Sequence, residues 1–173
     1  MTTPEPRVWT ETGWQGSDWR HGANADALSG AGRVILPLEA FLALDAQTLK
    51  QNVARIGVLL SPGEALDTIL PFLPELPLVA LAFPAFNDGR SYSKAELLRS
   101  RHGYRGEVRA TGDVLIDQIS HMLRVGFSTL EITNPRTLSL LERGKKPGLP
   151  LHYQPSARPA AAPGSYGWRR LSA

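Results

Sequence analysis

The chain has 173 residues, enough for one domain with a sizeable core and few for two. Hydrophobic residues make up 42% and charged residues 20%, as in ordinary globular proteins, and a net charge of +3 does not by itself call for nucleic acid. Cysteine is absent, which excludes disulfides, thiolate nucleophiles and cysteine-ligated metal centres. No apolar run reaches the ~20 residues of a membrane span and no secretory pattern opens the chain, so we expect a cytoplasmic protein without membrane contact.

Residues 1–32 predict an irregular N-terminal arm, because glycines interrupt the segment repeatedly. Three tryptophans, Trp9, Trp14 and Trp19, lie within this arm. A glycine-rich segment cannot build a core of its own, so the indoles either dock on the main domain or meet a partner. Docking on the domain's own surface is the favoured interpretation.

Short apolar runs alternate with amphipathic segments over residues 33–153, a pattern typical of strands alternating with helices. The predicted strands are Val34–Leu36, Ile56–Leu60, Leu78–Phe83, Gly106–Ala110 and Phe127–Ile132, with a further apolar stretch at Leu151–Tyr153. Helices are predicted to begin near Pro37, Ser61, Ser93, Gly112 and Asn134. We therefore expect a single α/β domain with a mostly parallel sheet built from repeated βαβ units. Residues 154–173, rich in Pro, Ala and Arg, predict a flexible tail.

Polar turns follow three of the predicted strands, where open parallel sheets bind their ligands. The residues singled out there as a candidate functional surface are Asn87, Asp88, Arg90, Tyr92, Arg109, Asp113, Asp117 and Glu131. Turn and capping chemistry explains any one of them taken alone. The cluster as a whole favours a functional surface.

A second pattern places Asp113, Asp117 and His121 four residues apart, on one ridge of a predicted helix. Such a ridge either ligates a metal or relays protons, or it is the solvated face of the helix. The solvated face is favoured, and we expect no metal site. The other histidines, His21, His102 and His152, are isolated in the sequence and support no spacing argument.

A basic stretch, in which Arg99, Arg101 and Arg105 are the candidate partner- or anion-binding residues, surrounds two glycines. It suits a phosphate, an anion such as sulfite or an acidic protein surface. It lacks the interleaved aromatic residues of a nucleic-acid platform, so no nucleic acid is expected. The chain contains no nucleotide, hydrolase or zinc motif, so we expect no cofactor and assign no catalytic residue.

Four segments of the chain resemble a bacterial family catalogued as domain of unknown function 934: Phe83–Ser93, Leu97–Arg99, Gly103–Ala110 and Gly112–Gln118. The resemblance extends more loosely over most of residues 33–132. Because genes of that family usually lie beside those of sulfite reductase, it implies an auxiliary role in assimilatory sulfite reduction. Such a protein would dock on sulfite reductase or its electron donor, deliver electrons or aid assembly. The family's label of probable oxidoreductase has no counterpart here in a cysteine, flavin or nucleotide motif.

Three functions follow as alternatives. The favoured one is an accessory protein that uses the Arg99–Arg109 stretch and the tryptophan arm as contact surfaces. The second is a small enzyme acting on an anionic substrate at the carboxyl edge of the sheet, with a cluster that also includes Asp113. In this cluster Arg90 and Arg109 bind the anion, and Asp88 or Glu131 acts as acid or base. The third is a flavin-binding electron carrier. The oligomeric state does not follow from the sequence.

Overall fold

The computed structural model describes residues 7–85, 87–145 and 147 of the chain. Eight strands in this described part form one sheet: β1 (Arg7–Thr10), β2 (Gly13–Gln15), β3 (Trp19–His21), β4 (Arg33–Pro37), β5 (Ile56–Leu60), β6 (Leu78–Phe83), β7 (Glu107–Gly112) and β8 (Thr129–Ile132). Their order across the sheet is β2-β1-β8-β7-β6-β5-β4-β3. From β3 to β8 all neighbours are parallel, whereas β1 pairs antiparallel with both β2 and β8. The prediction of a single α/β domain with a mostly parallel sheet is confirmed.

Three neighbouring strands, β4, β5 and β6, coincide with predicted apolar runs. The bounds of β5 and β6 agree residue for residue with the prediction. Both faces of these strands are covered: Val79 and Leu81 lie in the main core, while Leu78 and Ala80 belong to a second apolar cluster. Strands buried on both faces need apolar residues at every position, which is why continuous runs identify them.

The predicted irregular N-terminal arm is wrong, because this segment supplies β1, β2 and β3. These strands are three or four residues long and separated by glycine-containing turns, so no alternation of polar and apolar residues is visible in the sequence. Trp9 is buried in the main core and Trp14 packs against it, while Trp19 packs on the second cluster. The indoles therefore dock on the domain itself, as favoured from the sequence.

The helices differ more from the prediction than the central strands do. They are α1 (Leu38–Leu42), α2 (Ala46–Asn52), α3 (Arg90–Ser100), α4 (Ile119–Val125) and α5 (Pro135–Glu142). A 3-10 helix at Leu66–Phe72 replaces the helix predicted from Ser61, and α3 begins three residues before Ser93. Two helices start as predicted: α1 begins directly after Pro37, and α5 begins after Asn134, whose side chain accepts from two backbone N–H groups of the first turn.

The predicted ridge of Asp113, Asp117 and His121 does not form, because Asp113 and Asp117 precede α4. Gly112 has a φ of 99°, and its carbonyl accepts from the N–H of Val114 in a tight turn. A second turn joins the N–H of Gln118 to the carbonyl of Leu115. These turns occupy the stretch in which the helix was expected to begin.

The sheet is curled. Its edge strands β2 and β3 are consecutive along the chain and are joined by residues 16–18 alone. His21 on β3 hydrogen-bonds Glu131 on β8 at 2.9 Å, although five strand spacings separate them along the sheet. In a flat sheet five spacings of about 4.8 Å would amount to roughly 24 Å. The curl therefore creates a concave face, opposite the face that the helices cover.

The concave face changes character across the sheet. On β4, β5 and β6 it is apolar, with Ile35, Leu78 and Ala80 packed against Trp19 and Leu59. On β7 and β8 it carries charged side chains, which form the site described below. No helix in the described ranges is both long enough and apolar enough to span a membrane.

Candidate functional site

Alternation along β7 and β8 puts charged residues on the concave face. The residues that alternate with them, Val108, Ala110, Leu130 and Ile132, are buried in the main core. Successive side chains of a strand point to opposite faces. Glu107, Arg109, Thr129 and Glu131 therefore face the concave side, and Arg109 lies beside Thr129 in the register.

Arg109 is buried and lies at the centre of this group, with a side chain only 4% exposed. Its Nε and Nη2 atoms both donate to Oε1 of Glu107, at 2.9 and 2.7 Å. Nη2 also donates to the Ser17 hydroxyl at 3.1 Å, and Nη1 lies 3.9 Å from Oε2 of Glu131. The hydroxyl of Thr129 donates to the same Glu107 oxygen at 2.5 Å. The guanidinium is thus committed to internal partners.

Glu131 connects this group to the far edge of the sheet. Its carboxylate is 6% exposed and accepts from Nε2 of His21, whose distances to Oε1 and Oε2 are 2.9 and 3.0 Å. The His21 side chain is 39% exposed, so the imidazole stands between the buried carboxylate and solvent. Among the described residues, no hydrogen bond reaches the other ring nitrogen, Nδ1.

A cavity of about 680 Å³ opens at this group. Its lining includes Val8, Trp14, Ser17, Trp19, His21 and Glu131. Aromatic and aliphatic side chains thus adjoin a small set of convergent polar groups, the arrangement that small-molecule sites commonly show. We call this cavity with His21, Glu131, Arg109 and Glu107 the concave site.

The charge of the concave site is negative when His21 is neutral, because the carboxylates of Glu107 and Glu131 accompany the single guanidinium of Arg109. Two further arginines reach the rim, but both are committed elsewhere. Arg7 pairs with Glu142 and lies 4.2 Å over the Trp14 ring, and Arg20 donates to the carbonyl of Ala27. The Arg7 and Arg20 side chains thus bind partners outside the buried group of Arg109, Glu107 and Glu131.

The strand-end residues predicted from the sequence form a different region, in which Asp88 and Arg90 make a local ion pair. Asp88 accepts from Nε and Nη2 of Arg90, two residues on, at 2.9 and 2.7 Å, and that hydrogen bond lowers the pKa of Asp88. Asn87 is exposed. The buried Lys94 donates to the carbonyls of Ser61 and Pro62, which ties the turn after β5 to α3.

Tyr92 and His121 pack against each other beside these turns, with ring centroids 4.6 Å apart. Burial, together with the charge of Asp117, raises the pKa of Tyr92 to about 12. Burial and the neighbouring charge of Arg124 lower the pKa of His121. Both shifts keep the uncharged form of the side chain, which is the form suited to packing.

Asp113 belongs to the turn that follows β7. Its N–H donates to the carbonyl of Phe83 at 2.8 Å, and its carboxylate accepts from Nδ2 of Asn134 at 3.4 Å. The preceding Gly112 leaves no room for a side chain, since an added Cβ would lie 2.4 Å from the carbonyl oxygen of Phe83. The turns after β6, β7 and β8 are therefore fastened to one another at close range.

The family model described as a bacterial protein of unknown function (DUF934) matches residues 57–163. This chain belongs to the DUF934 family. The segment of this DUF934 protein that matches contains Glu107, Arg109 and Glu131, whereas Ser17 and His21 precede it. No curated protein matches the sequence.

The basic stretch of this DUF934 protein divides into inward and outward arginines. Arg99 donates from Nε to the carbonyl of Gly126 and from Nη1 to those of Tyr104 and Gly106, at 2.6–2.9 Å. Arg101 and Arg105 are exposed, and their side chains make no hydrogen bond or ion pair with the described residues. Within the same part of the chain, no three His, Asp or Glu residues are grouped as a metal site requires.

The structure brings Arg109 and Glu131 together, in a different region from the Asp88–Arg90 pair. It also adds site residues that were not predicted from the sequence. His21, Glu107 and Ser17 were not proposed as site residues. Alternation of charged with apolar residues in two neighbouring strands is the signal that reveals Glu107 beside Arg109. His21 carries no such signal, because its contact with Glu131 depends on the curl of the sheet.

Proposed function

We propose that this protein is an auxiliary component of assimilatory sulfite reduction that docks on sulfite reductase or its electron donor, to deliver electrons or to aid assembly. Membership of the DUF934 family supports this proposal through the gene association that the sequence resemblance implies. The structure supports a docking role through one feature, the loop that carries Arg101 and Arg105.

This loop is held rigidly while its two arginines project outward. The Arg99 guanidinium binds the carbonyls of Tyr104 and Gly106, and the buried Tyr104 hydroxyl donates to the carbonyl of Leu76 at 2.9 Å. A loop fixed in this way presents its charges without a further cost of ordering on binding. Arg101 and Arg105 therefore form a preorganised basic surface, suited to an acidic protein surface.

The tryptophan arm does not serve as a second contact surface, since its indoles pack within the domain. A hollow of about 280 Å³ beside the loop is lined by Leu73, Pro74, Leu76 and residues 102–106. It places a depression of mixed polar and apolar lining beside Arg105. Basic residues beside such a depression give a partner both electrostatic guidance and a surface to bury.

Affinity capture from sulfate-grown cells tests the proposal. The wild-type chain is expected to retain sulfite reductase, and the double variant R101E/R105E to lose it. A matched control, R136E/R143E, reverses two exposed arginines at α5 and should retain it. Capture that is absent with the wild type, or equal for both double variants, would contradict docking through this loop. A deletion strain that grows normally on sulfate would contradict the role in sulfite reduction.

A further inference from the structure

The concave site has the composition of a proton-transfer centre. A histidine held by a buried carboxylate is the arrangement by which proteins orient an imidazole as a general base. Here Glu131 binds Nε2 of His21 through both oxygens. In the neutral imidazole that contact places the ring proton on Nε2, so the lone pair lies on Nδ1.

The position of Glu131 is itself controlled. Arg109 lies 3.9 Å from its carboxylate and is fixed in turn by Glu107 and Ser17. These partners come from β3, β7, β8 and the loop between β2 and β3, so the arrangement depends on the curled sheet. Arg109 is a positioning residue, because each of its nitrogens already faces a protein partner.

The charge of the site selects its ligand. Within the buried group, two carboxylates and one guanidinium leave an excess negative charge while His21 is neutral, and the rim residues Arg7 and Arg20 bind Glu142 and a backbone carbonyl instead. An anion is repelled by that excess, and the burial of Glu131 strengthens the repulsion. An uncharged molecule meets no such cost. After the molecule gives a proton to His21, the imidazolium of His21 lies against the anion that the molecule has become.

We propose that the concave site binds a small uncharged molecule with an acidic O–H or N–H group and that His21 accepts this proton. The O–H or N–H bond of the ligand breaks, a bond from Nδ1 to hydrogen forms, and the electron pair stays on the ligand. Val8 and Trp19 provide the wall against which the apolar part of the ligand packs. The site is independent of the basic docking loop.

The dye 4-nitrophenol is a direct probe, because it is uncharged when protonated and its phenolate absorbs visible light. At a pH where the free dye is mostly protonated, the wild-type chain should produce a saturable phenolate band. His21→Asn should abolish the band, and Glu131→Gln should reduce it. The double variant R101E/R105E should keep it, which separates this site from the docking surface.

Two further measurements keep the test decisive. In the wild-type chain, the nitrogen resonance of His21 Nδ1 should move from the unprotonated to the protonated range as the dye binds. Sulfite, the anionic comparator, should not displace the dye. A wild-type chain that gives no band, a band that persists in His21→Asn, an Nδ1 resonance that stays unprotonated or displacement by sulfite would each overturn the proposal.

Discussion

Two charged regions of the molecule differ in how their charges are held. At the carboxyl ends of the strands, Asp88 pairs with Arg90 two residues away, and the Arg90 side chain is 64% exposed. In the concave site, Glu131 meets His21 across 110 residues of sequence, and the side chains of Arg109 and Glu131 are almost fully buried. A pair of residues two apart follows from turn geometry alone, whereas burying several charges has a desolvation cost that only a complete set of partners offsets.

This difference between the two regions changes where the functional residues are expected to lie, compared with the prediction from the sequence. The enzyme alternative placed one cluster at the sheet edge, with the arginines binding an anion; its residues were Asp88, Arg90, Arg109, Asp113 and Glu131. The structure divides this set, since Arg90 binds Asp88 and Arg109 binds Glu107. An acid–base role is better matched by the concave site, and recognition of an acidic partner by the exposed Arg101 and Arg105.

The largest expected effect of a single substitution is that of Arg109→Leu. It leaves the buried carboxylate of Glu131 and the partly buried carboxylate of Glu107 without their shared cation. Breaking a buried ion pair by removing one partner costs about 3–5 kcal/mol in the free energy of unfolding. Urea denaturation measures the loss. A loss no greater than that of Arg90→Ala would show that burial does not distinguish the two regions.

Gly112→Ala tests how tightly the strand-end turns are fastened. At a φ of 99°, with an added Cβ only 2.4 Å from the Phe83 carbonyl oxygen, the variant should lose about 1–3 kcal/mol of stability. Gly103→Ala is the control, because Gly103 also has a positive φ but open space around its Cβ position. Thermal or urea unfolding should show the larger loss for Gly112→Ala, and equal losses would contradict the close contact.

His121 makes the strand-end region sensitive to acid. Burial and Arg124 lower the pKa of His121 in the folded chain below its ordinary value of 6.5. As the pH falls through 6.5, the unfolded chain therefore takes up the proton first, and stability decreases down to the folded pKa. His121→Gln should flatten this part of the curve of unfolding free energy against pH. An unchanged slope between the two chains would contradict the buried, neutral imidazole.

The smallest effect is expected at the Asp88–Arg90 pair. Asp88→Asn and Arg90→Gln remove a local interaction whose arginine is largely exposed to solvent, so the unfolding midpoint should be almost unchanged. The 4-nitrophenol band should also stay as in the wild type. A large loss of the 4-nitrophenolate band in either variant would show that the Asp88–Arg90 pair and the concave site belong to one site, which would contradict the comparison.

An element of the fold could be predicted from the sequence where neighbouring residues alone determine it. The runs that became β5 and β6 are apolar at nearly every position, because both faces of these strands are buried, and the sequence shows this directly. The Asn134 cap of α5 is equally local. The start of α4 is not, since turns anchored by Gly112 displaced it.

For the concave site, the sequence predicts the residues of β7 and β8 but not their partner on β3. Arg109 and Glu131 alternate with core residues along their own strands, so their facing side follows from the sequence. Their partner His21 lies on a three-residue strand at the opposite edge of the sheet. Its proximity to Glu131 arises from the curl of all eight strands, which no local pattern encodes.

The contact between His21 and Glu131 is the central claim, and a double-mutant cycle tests it most directly. His21→Asn, Glu131→Gln and the double variant would be compared by urea denaturation with the wild-type chain. If the two side chains touch across the curled sheet, their effects should be coupled by about 1 kcal/mol. Effects that add to within about 0.3 kcal/mol would show that His21 and Glu131 do not meet, and would remove the basis of the concave site.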